Sequence, residues 1–249
     1  MKVASVLLKQ QPVYRHHCFV TGLKNAGYTV IHQPQHNPTS DDVLVVWNRH
    51  PFQERIIREY EKKGAVILIV ENGYIGNTKA IAKSFHNGAG KWHQGEEDRW
   101  LKLGVELSPW RQDGDHILVL PQRGMGSQGV AMSRTWLANT LLQLGKTTNR
   151  PVRIRKHPGQ NACVPLEEDL KNAWAAVTWG SGAGIKSIVA GIPVFHGLRD
   201  WIGAGAASTE LSNIESPFMG DRLPMLRRLA WAQWTLPEIE SGEPFRALC

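Results

Sequence analysis

Four short segments hold the residues whose types and spacing can support chemistry, and the first of them centres on Glu71. It runs over residues 71–76, Glu-Asn-Gly-Tyr-Ile-Gly, directly after a predicted strand at 65–70. A carboxylate at a strand end that faces a cleft suits a general base, which would deprotonate an acceptor hydroxyl. A carboxylate that caps or forms a turn explains the same residue equally well, so the sequence leaves both interpretations open.

The second segment is a glycine-rich loop at residues 121–129, Pro-Gln-Arg-Gly-Met-Gly-Ser-Gln-Gly. Glycines such as Gly124 let backbone amides approach an anion at the start of a following helix, and Arg123 can add a charge-assisted contact. The segment lacks both a complete Gly-x-Gly-x-x-Gly register and the Lys-Ser/Thr of a P-loop. A plain flexible loop is therefore an equally good interpretation.

The third segment consists of Arg155, Lys156, His157 and Pro158, at the end of a predicted strand at 152–155. Proline lacks an N–H group and fixes the backbone, so His157 is held in one orientation. A fixed imidazole beside two cations can contact the ribose or a phosphate of a nucleotide. An ordinary turn from strand to loop would also explain a lone His-Pro pair.

The fourth segment lies between a predicted strand at 175–178 and a predicted helix at 182–190, and comprises Trp179, Gly180, Ser181, Gly182, Ala183 and Gly184. Its small residues let the helix N-terminus come close to a ligand, and Ser181 together with the free amides can bind a phosphate. The strand–loop–helix context makes it a better phosphate site than the second segment. Tight packing of the helix against the sheet would also select these glycines.

Short β-branched runs alternate with helical stretches along the chain, which predicts parallel sheets built from βαβ units. We expect an α/β fold with two Rossmann-like lobes, one over residues 1–112 and one over residues 113–249. The second lobe would include a closing pair of C-terminal helices at about 221–234 and 236–241, with Thr235 as an N-cap. Residues from 72 to about 110 are predicted to be irregular. Ligands of open α/β sheets bind beyond the carboxyl ends of the strands, where all four segments lie.

The chain is basic, with a formal net charge of +7 and a pI near 9.5. This balance suggests a polyanionic partner such as nucleic acid, an acidic glycan or an anionic membrane surface, although a diffuse excess can merely aid solubility. No apolar run is long enough to cross a bilayer, so no transmembrane segment is predicted. The three cysteines are odd in number and widely spaced, which indicates a reducing compartment and a cytoplasmic protein.

Metal-dependent chemistry and covalent hydrolysis have weak support in the sequence. Asp113 and Asp115 have the Asp-x-Asp form of a divalent-metal motif, but they precede a predicted strand, which favours a turn. The histidines show no paired ligand spacing, so neither a metal site nor a cofactor is predicted. The sequence also lacks the Gly-x-Ser-x-Gly elbow and the Cys–His pairing of nucleophilic hydrolases.

Taken in order, the third and fourth segments resemble capsule polysaccharide biosynthesis glycosyltransferases. The resemblance rests on Arg-x-His-Pro at 155–158, Thr-Trp-x-Ser-x-Ala-Gly at 178–184 and Gly-Ile-Pro-Val-Phe at 191–195. The tail at 229–242 and the Glu-x-Gly-Tyr at 71–74 are also similar to that family. The clear part covers residues 155–242, and the N-terminal lobe resembles the family less.

The resemblance implies a GT-B-like fold of two facing Rossmann-like lobes, with a nucleotide-sugar donor on the C-terminal lobe and the acceptor on the N-terminal lobe. By position, His157 would contact the donor nucleotide, Ser181 and its neighbours would contact the phosphate, and Glu71 would be the base. No divalent metal is expected, since the nucleotide sugar is a substrate and the family has no obligatory metal. This chain is shorter than the family and has Gly182 where a second small polar residue is common.

Three functional classes follow. The first is a glycosyltransferase acting on a polymeric, polyanionic acceptor, which is either a surface or capsular polysaccharide or a hydroxymethylated base in viral DNA; the basic charge slightly favours DNA. The second is another nucleotide-binding enzyme, such as an epimerase, which the missing fingerprint motifs disfavour. The third is a non-catalytic polyanion- or nucleotide-binding protein on the same fold.

Overall fold

The computed structural model describes residues 2–83, 95, 97–124, 129–157 and 164–249. These residues form two compact units, which we call the first unit (1–97 with 230–249) and the second unit (98–229). The strands in chain order are β1 (Val3–Val6), β2 (Thr29–Ile31), β3 (Val43–Trp47), β4 (Val66–Asn72), β5 (Thr78–Lys83), β6 (His116–Leu120), β7 (Val152–Ile154), β8 (Ala173–Thr178), β9 (Val194–His196) and β10 (Gln233–Thr235).

The helices surround these strands. In chain order they are α1 (His16–Asn25), α2 (Glu54–Lys62), α3 (Arg99–Lys102), α4 (Trp136–Thr147), α5 (Leu166–Asp169), α6 (Gly182–Val189), α7 (Leu223–Ala232), α8 (Leu236–Ser241) and α9 (Glu243–Leu248). No described helix combines the length and the apolar character that crossing a membrane requires.

The first unit is built on a six-stranded sheet with the order β10-β5-β4-β3-β1-β2. Strands β1 to β4 are parallel, whereas β5 runs antiparallel to both of its neighbours. Successive side chains of β3 point to opposite faces, so Val43 and Val45 pack with α1 while Leu44 and Val46 pack with α2. Both faces of the strand are apolar because helices cover both faces of the sheet.

The C-terminal tail belongs to the first unit, in contrast to the expected division at residue 112, which gave the closing helices to the second lobe. Helix α7 ends at Ala232, and the chain continues into β10, which pairs with β5. The predicted N-cap of α8 is confirmed, since Thr235 and Glu238 form a reciprocal capping box. The pairing of β10 with β5 joins residues about 150 positions apart, for example Gln233 and Ala80, and such contacts leave no local sequence pattern.

The region expected to be irregular contains the hairpin of β4 and β5 as well as α3. The turn closes where the Gly73 amide donates to the Thr78 carbonyl at 2.9 Å. A β-carbon on Gly73 would lie 1.8 Å from Thr78 Oγ1, so only glycine fits there. Residues 84–94 and 96, the rest of the region expected to be irregular, lie outside the described residues.

The second unit holds a four-stranded parallel sheet with the order β7-β6-β8-β9. Its core joins Ile117 and Val119 of β6 to Val177 of β8 and Leu144 of α4. The predicted fold class, a mixed α/β protein with parallel sheets and several helices, is confirmed. All four strands of this sheet end on one edge, and that carboxyl edge carries three of the four segments singled out in the sequence.

Candidate functional site

The carboxyl edge of the second unit brings together segments that are far apart in sequence. His157 follows β7, Arg123 and Gly124 follow β6, and Ser181 follows β8. Strands β7 and β8 flank β6 on either side. Neighbouring strands lie about 4.8 Å apart, so the three loops begin within about 10 Å of one another. One ligand the size of a nucleotide can therefore contact all three.

His157 and Arg123 share one patch of this edge. The ladder between β6 and β7 continues past the strands, because the Arg155 amide donates to the Val119 carbonyl at 3.0 Å. The pKa of His157 lies below the usual value for histidine, first because nearby atoms displace water from the ring and second because of the positive charge of Arg123. A neutral imidazole beside a guanidinium can share hydrogen bonds with a ribose while the cation faces phosphate.

The neighbours of His157 differ in what they offer a ligand. Arg155 forms an ion pair with Asp169 of α5 and also donates to the Val164 carbonyl at 2.7 Å, so its guanidinium binds both α5 and the residues just before it. Lys156 is exposed. Pro158, the residue expected to orient His157, lies outside the described residues, as do residues 125–128 of the glycine-rich loop.

Gly124 has a backbone φ of +68°, in the left-handed region that favours glycine. A β-carbon there would also lie 3.3 Å from the Met132 carbonyl oxygen. The turn after Arg123 therefore requires glycine for its conformation, which explains this residue without a ligand.

Ser181 is the N-cap of α6. Its Oγ accepts hydrogen bonds from the Gly184 amide at 3.3 Å and from Thr178 Oγ1 at 2.9 Å. Thr178 has one hydroxyl proton and its Oγ1 also lies 3.1 Å from the Leu120 carbonyl oxygen, so Ser181 can donate to a ligand only when Thr178 donates to Ser181. The first amides of a helix have no partner within it, and the helix dipole favours an anion at this end. A phosphate site at Ser181 stays a prediction, and this helix end is where it would lie.

The small residues after Ser181 have two different explanations. Gly184 is buried, and a β-carbon there would lie 2.9 Å from both Thr178 Cγ2 and Trp201 Cη2, so tight packing accounts for it. Gly182 and Ala183 are partly exposed at the first turn of α6. These two residues leave the helix end open to a ligand.

Trp179 makes packing and hydrogen-bond contacts with other segments at this edge. Its Nε1 donates to the Val130 carbonyl at 2.7 Å, and its ring meets Trp136 edge-on at 6.1 Å between centroids. A β-carbon on Gly197 would lie 2.6 Å from the Trp179 ring, so glycine is needed where β9 ends. Trp179 therefore joins the ends of β8 and β9 to the segment that leads into α4.

Replacing Ser181 with alanine is expected to lower the free energy of unfolding by about 1 kcal/mol, because α6 loses its N-cap. The same change is expected to weaken nucleotide binding about tenfold, the effect of removing one hydrogen bond to a charged group. Thr235→Ala is the matched control, since it removes the capping box of α8 in the first unit. It should cost similar stability and leave nucleotide affinity unchanged; equal affinities for all three proteins would exclude Ser181 from the site.

The carboxyl edge of the first unit carries Glu71, which lies within β4 opposite Ala80 rather than after the strand. The alternation along β4 places it on the same face as Ile67 and Ile69, next to α2, and it is partly exposed. The turn beyond it is held by the buried Gln233, whose Oε1 accepts from the Tyr74 and Ile75 amides at 2.9 and 3.1 Å. Gln233 thus holds this turn from a strand that lies far away in sequence.

The opposite face of the first unit's edge holds a buried cation that sequence reasoning missed. Lys79 is 6% exposed, and its Nζ donates to Asn72 Oδ1 at 2.7 Å and to the Val13 carbonyl at 3.0 Å. Its ammonium also lies 5.2 Å from the centre of the Trp47 ring. Burial and then the charge of Arg15 lower the pKa of Lys79. Among the described residues, no carboxylate forms an ion pair with either cation.

The sequence did not predict a role for Lys79, because Lys79 lies in the stretch that was expected to be irregular. Only the pairing of β5 with β4 sets it beside Asn72. Trp47, at the end of a clear strand, was the visible clue to this face. The structure therefore does not bring Glu71 and Lys79 onto the same face of the sheet.

Described residues of the second unit line at least two cavities. An open cavity of about 560 Å³ is lined by Thr148, Arg150 and Glu215, among others. It lies at the amino ends of β6 and β7, away from the predicted donor segments. A smaller cavity of about 160 Å³ is lined by Trp136, His196 and Gly197, among others, and lies beside the ends of β8 and β9. The carboxyl edge differs from both cavities in that strand ends and a helix N-terminus supply polar groups there.

Comparisons with known proteins identify the fold. No family model matches the chain, and no curated protein matches its sequence. Among solved structures, the KpsC beta Kdo 2,4 transferase of Thermosulfurimonas dismutans is similar, with 10% identity and a TM-score of 0.59 over 92% of this chain and 89% of that one. The beta Kdo 2,7 transferase of KpsC from the same organism is similar with 13% identity and a TM-score of 0.59, over 99% of this chain and 100% of that one. The chain thus shares the GT-B-like fold of these transferases, which fits its resemblance to capsule polysaccharide biosynthesis glycosyltransferases.

Proposed function

We propose that this protein is a glycosyltransferase that moves a sugar from a nucleotide-sugar donor to a hydroxyl group of a polysaccharide. The observation that carries the proposal is the convergence of His157, Arg123 and the N-terminus of α6 on one sheet edge. A helix N-terminus and a guanidinium suit the phosphates of the donor, and an imidazole suits its ribose. The similarity to two Kdo transferases supports the same reaction class.

The reaction needs one base and a stabilised leaving group. Glu71 takes the proton of the acceptor hydroxyl, whose oxygen then forms a bond to the anomeric carbon of the donor sugar. The bond from that carbon to the phosphate oxygen breaks, and the negative charge goes to the departing nucleotide. The α6 amides and Arg123 stabilise this charge, so cationic side chains take the place of a divalent metal.

For the acceptor we favour an anionic polysaccharide. Arg15 is partly exposed and Lys79 is buried near it, and among the described residues neither forms an ion pair with a carboxylate. These two positive charges can balance the negative charge of an acidic sugar substituent. The net charge of +7 fits an acidic glycan as well as it fits DNA, and both similar structures are named as sugar transferases.

A transfer assay separates the alternatives. The protein is incubated with labelled UDP-, GDP- and CMP-linked sugars, together with either an acidic oligosaccharide or a duplex containing hydroxymethylated bases. We expect label in the oligosaccharide with one donor class. Label in the duplex would replace the polysaccharide by DNA as acceptor, and nucleotide binding without transfer to either would indicate a non-catalytic protein on this fold.

A further inference from the structure

The first unit contains a cluster of potential metal-ligating side chains that belongs to neither of the two sheet edges described above. We infer that His17, Cys18 and Glu240 form a binding site for a divalent ion of the zinc class, which would join α1 to α8. The three ligand atoms all lie within 4.8 Å of one another, and this is the one such group among the described residues. The inference is independent of the proposed function.

The spacing of the three atoms suits one ion. His17 Nε2 lies 3.3 Å from Cys18 Sγ and 3.7 Å from Glu240 Oε1. Ligands bound tetrahedrally to zinc at about 2.0–2.3 Å lie about 3.3–3.6 Å apart, so small rotations of the side chains complete the set. Sulfur, nitrogen and oxygen ligands together are typical of zinc, and water would take the fourth position.

The local environment supplies a reason for an ion. Cys18 is 1% exposed, whereas His17 and Glu240 are accessible, so an ion can reach the thiol from one side. Metal binding requires the thiolate, so a bound cation would displace the Cys18 proton and balance the charge of the Glu240 carboxylate.

The backbone on both sides of the cluster is already fixed. Asn25 Nδ2 donates to the Glu240 carbonyl at 2.8 Å, across 215 positions of sequence. Gly22 brings α1 against the carbonyl of Ile239, the residue before Glu240. The two helices that carry the ligands are therefore already in contact when no ion is bound. The histidine spacing in the sequence gave no metal signal because the third ligand comes from the other end of the chain.

The test uses Co²⁺ as a visible probe and Zn²⁺ as the competing ion, with the full chain freed of metal beforehand. Thiolate-bound Co²⁺ should give an intense near-ultraviolet charge-transfer band at one equivalent, and Zn²⁺ should abolish it. The Cys18→Ser variant should lose the band, and the His17→Ala and Glu240→Gln variants should bind Co²⁺ at least tenfold more weakly. The His17 side chain is largely exposed and that of Glu240 is partly exposed, so these two variants are expected to fold.

Cys249→Ser serves as the control, because Cys249 is not part of the cluster. This control should keep the band, and Zn²⁺ should raise the melting temperature of the wild type and of the control but not of His17→Ala. The inference is overturned if Co²⁺ gives no thiolate band with the wild type. It is equally overturned if His17→Ala and Glu240→Gln bind Co²⁺ as tightly as the wild type.

Discussion

Replacing Glu71 with glutamine is expected to lower kcat by about 10²- to 10⁴-fold, the usual contribution of a general base. Glutamine has nearly the same shape but does not take up the proton of the acceptor hydroxyl. The Michaelis constant for the donor should change little, because the donor segments lie in the second unit. Initial rates at varied donor and acceptor concentrations measure both constants.

Glu59→Gln is the matched control for this variant. Glu59 lies on α2 of the same unit and forms an exposed ion pair with Arg55, which contributes less than about 1 kcal/mol to stability. We expect the control to keep full activity and an unchanged melting temperature. If Glu71→Gln turned over substrate as fast as Glu59→Gln, Glu71 would only be a residue of the hairpin, and another group would have to be the base.

Replacing Gly22 with alanine is expected to destabilise the first unit by about 2 kcal/mol or more. The new β-carbon would lie 1.7 Å from the Ile239 carbonyl oxygen and 2.7 Å from Phe245 Cε2, so α1 and α8 would have to separate. Overpacking of this kind costs about 3 kcal/mol at the upper end of its usual range, and the higher helix propensity of alanine returns about 1 kcal/mol. For a chain of this length each 1 kcal/mol lowers the melting temperature by about 2–4 °C.

Gly145→Ala provides the contrasting control. Gly145 also lies within a helix, α4, but a β-carbon there would meet no atom within 4 Å. Only the higher helix propensity of alanine then changes the free energy of unfolding, so this variant should be more stable than the wild type by up to about 1 kcal/mol. Thermal unfolding of both variants checks the pair, and equal effects of the two substitutions would contradict the packing of α1 on α8.

Local patterns predicted the parallel strands and several helices well. The predicted helix at 236–241 has the same bounds in the structure, the predicted helix at 182–190 ends one residue earlier, and the predicted strand at 65–70 runs over residues 66–72. Each is either a fully apolar run or a helix with a strong capping signal, so neighbouring residues alone determine it. The mixed α/β class follows from the order of such elements.

The parts that the sequence did not predict depend on contacts between distant residues. Strand β5 is an ordinary Lys- and Ala-containing segment, and only its pairing with β4 and β10 makes it a strand. For the same reason the tail could not be assigned to the first unit from its own composition. The candidate site shows both cases. Ser181 stood out in the sequence as a small polar residue just before a predicted helix, whereas Lys79 becomes notable only through its burial beside Trp47.

The central claim is that the carboxyl edge of the second unit binds a nucleotide, and calorimetric titration tests it most directly. UDP, GDP and CMP are titrated into the wild type, Arg123→Met, His157→Ala and the control Arg55→Met, whose side chain is 90% exposed on α2. We predict that one nucleotide binds the wild type and the control equally, and that each of the other two variants binds it at least tenfold more weakly. If no nucleotide binds the wild type, or if both variants bind it with unchanged affinity, the donor site does not lie at this edge.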